Sequence, residues 1–177
     1  MTGNRNRWRG GTLVLATITT GLVAGVFFDW SQTIMPGLAT TDDRTFVAVF
    51  RALDAAILGS LFMPAFMGAV VVIGIAAALH LRQDPWVPVA FVLYLVALVI
   101  TMAVHEPINT IVRTAGEGAD TAALRAMVEG GWVGWHHVRT VATTAAFGCL
   151  TWALVRHGRA TAPVPGPASA APYGPRS

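Results

Sequence analysis

PWVPVAFVLYLVALVITMAVHEPINT, residues 85–110, carries no charged side chain until its end, where His105, Glu106, Pro107 and Asn109 follow in quick succession. Its apolar part is close to the about 20 residues that a helix needs to cross a hydrocarbon core. An ionisable group facing lipid costs ~2.5–3.5 kcal/mol on insertion scales, so such groups turn inward and seek partners. The stretch therefore specifies a membrane helix whose polar end needs other helices to meet it.

The rest of the chain supplies them. Of 177 residues, 54% are hydrophobic and 12% charged, and the mean hydropathy is +0.59; a soluble domain is rarely so apolar and so lightly charged. Four runs are long enough to span: 11–35, 53–79, 87–104 and 138–155. The first exceeds the h-region of a signal peptide and lacks a clean small-residue cleavage site, so it reads as a retained span. The expected fold is all-α, an integral membrane four-helix up-and-down bundle. Short amphipathic helices are expected in its two outer connections. One covers 44–57, where Phe46, Phe50, Leu53 and Ile57 recur at helical spacing behind a TTDD cap. The other covers 121–129, with Asp120 as its cap and Gly130 and Gly131 as its stop. Either reads as a lid on the membrane surface or as the continuation of a span. The expected division is a basic N-terminus at 1–10, a transmembrane domain at 11–157, and a disordered tail at 158–177 rich in Ala, Pro and Gly.

All twelve basic residues are arginine. With alternating spans, one side holds Arg5, Arg7, Arg9, Arg82, Arg156, Arg159 and Arg176 against Asp84 alone. The other holds Arg44, Arg51, Arg113 and Arg125 among six acids. The positive-inside rule places both termini in the cytoplasm, for a multi-pass protein of the cell membrane. Lipid is the expected partner, and the pI near 10.0 reports scarce acids more than a nucleic-acid surface. Cys149, the single cysteine, has no intrachain disulfide partner.

In this topology Asp29 and Trp30, then His105, Glu106 and Asn109, then Trp132, Trp135, His136, His137 and Arg139 come to similar depth near the outer side. Gly21 and Gly25 form a G-x-x-x-G face that continues to Asp29, which predicts that Asp29 points into the bundle. His105 and Asn109 are four apart on one face, and Pro107 weakens the backbone ladder between them. In WVGWHHVRT, Trp132, Trp135, His136 and Arg139 share a face, with His137 about 100° away from His136. The tryptophans read either as an aromatic belt or as substrate-stacking rings.

GLVAGVFFDWSQTIMPGL, AVHEPIN and WVGWHHVRT, in that order, resemble the small four-helix membrane proteins that include the anthrone oxygenases of aromatic polyketide pathways. The likeness runs from about Gly21 to about Val155, with MPGL at Met35–Leu38, P-x-N at Pro107–Asn109 and W-x-x-W-x-H-x-R at Trp132–Arg139 as its strongest elements. It implies a cofactor-independent oxygenase acting on an aromatic polycyclic phenol with dioxygen. On that reading His137 is the base, Arg139 and Asn109 meet the oxyanion, His105 completes the catalytic set, and Trp132, Trp135 and Trp30 bind the flat substrate. Two alternatives stand beside it. One is a metal-dependent membrane oxidoreductase, with copper, iron or zinc on His105, His136, Asp29 and Glu106. The other is a non-catalytic membrane partner protein.

Overall fold

The computed structural model describes the backbone of residues 2–161 and the side chains of residues 7–160; of the expected tail at 158–177, residues 162–177 lie outside the described residues. Every regular element among them is helical. Eight α-helices succeed one another: α1 Thr2–Asp29, α2 Met35–Ala39, α3 Asp43–Leu58, α4 Phe62–His80, α5 Trp86–Ile100, α6 Glu106–Thr114, α7 Thr121–Met127 and α8 Val133–Thr161. Three π-helical turns, Trp30–Ile34, Thr101–His105 and Val128–Trp132, join α1 to α2, α5 to α6 and α7 to α8 without breaking the rods. Four helices are thus long and apolar enough to cross a membrane: Arg7–Ala39, Phe62–His80, Trp86–Thr114 and Thr121–Ala160.

α1 packs on α4 and α8, and α5 packs on the same two helices, which closes a ring of four. The half of the core nearer the termini is built largely from small residues (Ala16, Ala69, Ala90, Ala146) between Leu13, Ile73 and Leu150. Short side chains let helices approach closely where lipid offers no hydrophobic drive to association. Tyr94, fully buried, donates its hydroxyl to the Phe66 carbonyl at 3.0 Å. Gly21 is the close approach on α1, where a β-carbon would stand 2.8 Å from the Phe147 ring of α8.

The opposite end is roofed by α3. Asp42 caps it, accepting from the Thr45 amide at 3.0 Å and the Thr45 hydroxyl at 2.6 Å, as the TTDD stretch predicts. Its face of Phe46, Val47 and Phe50 is buried with Val112, Leu124 and Trp132 in a second core. Polar side chains tie the roof down. Arg51 donates to the Val112 and Ala115 carbonyls, and Arg125 reaches the Ala39 and Thr41 carbonyls and Asp43.

Three boundaries differ from expectation. The second span begins at Phe62 rather than 53, because Gly59–Leu61 turns the chain and the Ser60 hydroxyl accepts from the Phe62 amide. Gly130 and Gly131 do not stop a helix; they lie in a π-helical turn, so the second outer helix is continuous with the fourth span. α8 continues to Thr161, past the boundary at 157.

Candidate functional site

The three π-helical turns converge. Each carries a ring at or next to its end: Trp30 begins the first, His105 ends the second, and Trp132 ends the third. Trp132 lies 5.6 Å from Trp30 and 4.8 Å from His105, ring centre to ring centre. All three are buried. A turn of this kind holds one more residue than an α-turn and recurs at functional sites.

The hydrogen bonds of two buried histidines determine their protonation. A carbonyl only accepts and a guanidinium only donates. His136 Nε2 lies 3.0 Å from the Phe27 carbonyl, so it carries the proton; Nδ1 accepts from Arg139 Nε at 2.9 Å. Both nitrogens of His136 are therefore engaged, and its ring stacks on Trp132 at 4.6 Å. His105 Nδ1 donates to the Ile100 carbonyl at 3.2 Å. Its Nε2 is then a lone pair, buried and without a hydrogen-bond partner.

Arg139 is also buried. Nη1 donates to the Thr101 hydroxyl at 3.1 Å, and the guanidinium lies 4.2 Å from the centre of the Phe27 ring and 5.3 Å from that of Trp132. A polar chain runs along the other wall. Trp132 Nε1 donates to Asn109 Oδ1 at 2.8 Å, Asn109 Nδ2 to Asp54 at 2.9 Å, and Arg113 Nε to the other Asp54 oxygen at 2.7 Å. Arg113 also pairs with Glu106 at 3.4 Å.

Between these groups lies a cavity of about 230 Å³, lined by His105, Arg139, Asn109 and Asp54 and by the rings of Trp30, Trp132, Phe27 and Phe66. An imidazole, a guanidinium and aromatic walls around one cavity suit a flat apolar ligand that gains or carries negative charge.

His105, Asn109, Glu106, Arg139, Trp132 and Trp30 all reach this cavity. Four expected members do not, among them His136, which stacks on Trp132 outside the lining. Asp29 is exposed, because residues four apart on a helix drift by about 40°, so eight residues beyond Gly21 the face has turned about 80° away. Gly25 meets nothing within 4 Å. His137 is exposed to one side of His136 and lines a separate hollow with Ser31, Met35 and Glu129. Trp135, 48% exposed on the other side, faces outward. The four residues expected as metal ligands do not converge either. His136 has no free nitrogen, and no three His, Cys, Asp or Glu side chains among the described residues come together as a metal site requires.

Asp54, Thr101 and Arg113 are members that spacing could have pointed to, and Phe27 is one that spacing does not single out. Asp54 sits four residues beyond Phe50 and eight beyond Phe46, a carboxylate in the apolar stripe of an amphipathic helix. Thr101 is four before His105, and Arg113 four after Asn109.

A family model described as anthrone oxygenase matches residues 54–149, more than half of the chain and every cavity residue from Asp54 to Arg139. Neither the curated proteins nor the solved structures gave a match.

Proposed function

Because the chain belongs to the anthrone oxygenase family, we propose that it oxygenates a phenolic polycyclic substrate with dioxygen, without a metal or organic cofactor, inside the cavity between His105 and Arg139. The observation that carries this reading is the pairing of an unpartnered His105 Nε2 with a buried guanidinium across an aromatic space.

His105, not His137, is the base on this reading, since the His105 ring lines the cavity and His137 lines a separate hollow. It removes a proton from the acidic ring C–H of the substrate. The charge spreads onto the ring oxygen, where Arg139 donates hydrogen bonds. The electron-rich carbanion adds dioxygen to form a peroxide. The proton returns to give a hydroperoxide; the second hydrogen on that carbon then leaves as a proton while the O–O bond breaks, so that water departs with one oxygen atom and a new carbonyl retains the other. Trp30, Trp132 and Phe27 supply flat walls. Asn109 acts through its bonds to Trp132 and Asp54, so its part is to hold the Trp132 wall rather than to meet the oxyanion.

Dioxygen uptake with an anthrone in membranes tests this. His105→Ala should lower turnover by about 10²–10⁴, the range of a positioned base, and His137→Ala should change it little. Uptake that survives His105→Ala but is lost with a chelator would replace the base mechanism with a metal-dependent one.

For location we propose the cell membrane with both termini cytoplasmic, on the arginine asymmetry. The cavity then lies in the outer leaflet. A cysteine at Gly118, in a Cys149→Ala background, should be labelled from outside intact cells; labelling only after lysis would reverse the orientation.

A further inference from the structure

Arg139 bears a charge that the fold does not neutralise. The acceptors of Nε and Nη1 are a neutral imidazole and a hydroxyl. Nη2 has no acceptor among the described residues. The two carboxylates nearest the cavity, Asp54 and Glu106, are both taken by Arg113. A buried cation without an anion is costly, and the rings of Phe27 and Trp132 offset that only in part. An oxyanion on the open edge of the guanidinium would complete the pairing with the geometry of a fork.

The shape of the cavity adds a second constraint. A space of about 150 Å³ holds one benzene ring, so about 230 Å³ encloses one to two fused rings and a larger body must project from the mouth. Leu58 and Met102 line the cavity yet are 41% and 48% exposed, so they stand at its opening. Leu61, in the turn beside it, is 87% exposed. Met102 lies within the third helix long enough and apolar enough to cross a membrane, which turns the Leu58–Met102 side of the opening toward the bilayer, with Glu106, also half-exposed, at its polar edge.

We propose that the cavity binds a membrane-dissolved aromatic acid as its anion on Arg139, and that this ligand enters sideways from the bilayer between Leu58 and Met102. The proposal rests on the cavity assigned above but not on its oxygen chemistry. It makes the site selective for flat molecules bearing an ionised oxygen, whether carboxylate or phenolate. It also makes lipid, rather than the aqueous phase, the reservoir from which the site fills.

The test is binding to the full chain in lipid nanodiscs, monitored by the emission of two probes, anthracene-2-carboxylate and the neutral anthracene-2-methanol. Neither probe has the acidic ring C–H, so binding is read apart from turnover. The acid should bind about tenfold or more tighter than the alcohol, as charge-assisted hydrogen bonds predict. Arg139→Gln should abolish that preference while alcohol binding persists. Met102→Trp should slow the association of both probes, whereas Val141→Trp, which faces outward away from the cavity, should not. Equal affinities in the native protein, or a preference that survives Arg139→Gln, would overturn the anion site. An unchanged association rate in Met102→Trp would overturn the portal. Intact probe binding without dioxygen uptake from any anthrone would overturn the oxygenase reading and leave this one standing.

Discussion

Replacing Asp54 by Ala and by Asn separates the positioning chain from general packing. The carboxylate is 7% exposed and accepts from Asn109 and Arg113. Asp54→Ala removes both acceptors. A hydrogen bond to a charged group contributes about 1.5–3 kcal/mol. The Arg113 side is discounted, because that side chain is 30% exposed and retains Glu106 and water. The expected loss is about 2–3 kcal/mol. In Asp54→Asn the amide can point its oxygen at Asn109 and its NH₂ at Arg113, which is free to turn away, so the loss should be about 1 kcal/mol or less. Asn109 stays oriented in one variant and is released in the other, and Trp132→Phe reads the difference. In the native background that change loses the indole hydrogen bond. In Asp54→Ala much of it is already lost, so the two changes should couple by about 1 kcal/mol. In Asp54→Asn they should add. The assay is unfolding in mixed detergent micelles for each corner of both cycles. Additivity in the Ala cycle, or equal coupling in both, would refute the chain from Asp54 to Trp132.

The packing and the caps set three further outcomes. Gly25→Ala should be neutral or stabilise by about 0.5–1 kcal/mol, since its added methyl meets nothing, whereas Gly21→Val should cost about 1–3 kcal/mol against Phe147; the same unfolding assay compares them. Arg125→Ala should release the Ala39 and Thr41 carbonyls and raise proteolytic cleavage at the α2–α3 junction without moving the four membrane helices. Hydrogen bonds from the Thr45 hydroxyl and amide hold the Asp42 carboxyl below its ordinary 3.8. Because the folded value is the lower one, the cap contributes fully above the unfolded value and is lost as pH falls through the folded one. The Thr45 amide should lose exchange protection over that interval, and Asp42→Asn should remove the pH dependence while keeping the cap.

The spans were legible because hydropathy is a property of composition along the chain, and the lid helix because Phe46 and Phe50 repeat at helical spacing behind Asp42. The convergence of His105, Trp132 and Arg139 could also be read, since alternating spans bring them to one depth. What could not be read was rotation. Assigning Asp29 to the interior treats residues four apart as one continuous face, and assigning His137 to the base follows the resemblance, although helical spacing sets it about 100° from the face of Trp132, His136 and Arg139. Asp29 ends α1 where drift has already carried it outward, and an inserted π-turn then resets the orientation of Trp30. Asp54 was missed for a different reason. Its spacing behind Phe46 and Phe50 puts it on the apolar stripe, but a carboxylate in an outer helix ordinarily reads as solvated, and the partners that keep it buried, Asn109 and Arg113, lie more than fifty residues away in sequence.

Both histidine protons are set by main-chain carbonyls, Phe27 and Ile100, and those carbonyls stand next to π-turns. No single side-chain replacement elsewhere can take such an acceptor away. The proton pattern of this site is therefore robust to substitution but vulnerable to a change in the number of residues in the turn, since His105 reaches a carbonyl five residues back. Deleting one residue from Thr101–His105 would let the rod revert to plain α-helix with α6 in nearly its present phase, because the π-turn holds one more residue than the α-turn that would replace it. Such a deletion would leave hydropathy and membrane insertion as they were and still carry His105 off its carbonyl. For this architecture the informative variation between related chains is the single-residue insertion or deletion inside a span, the kind of change usually set aside as an alignment gap.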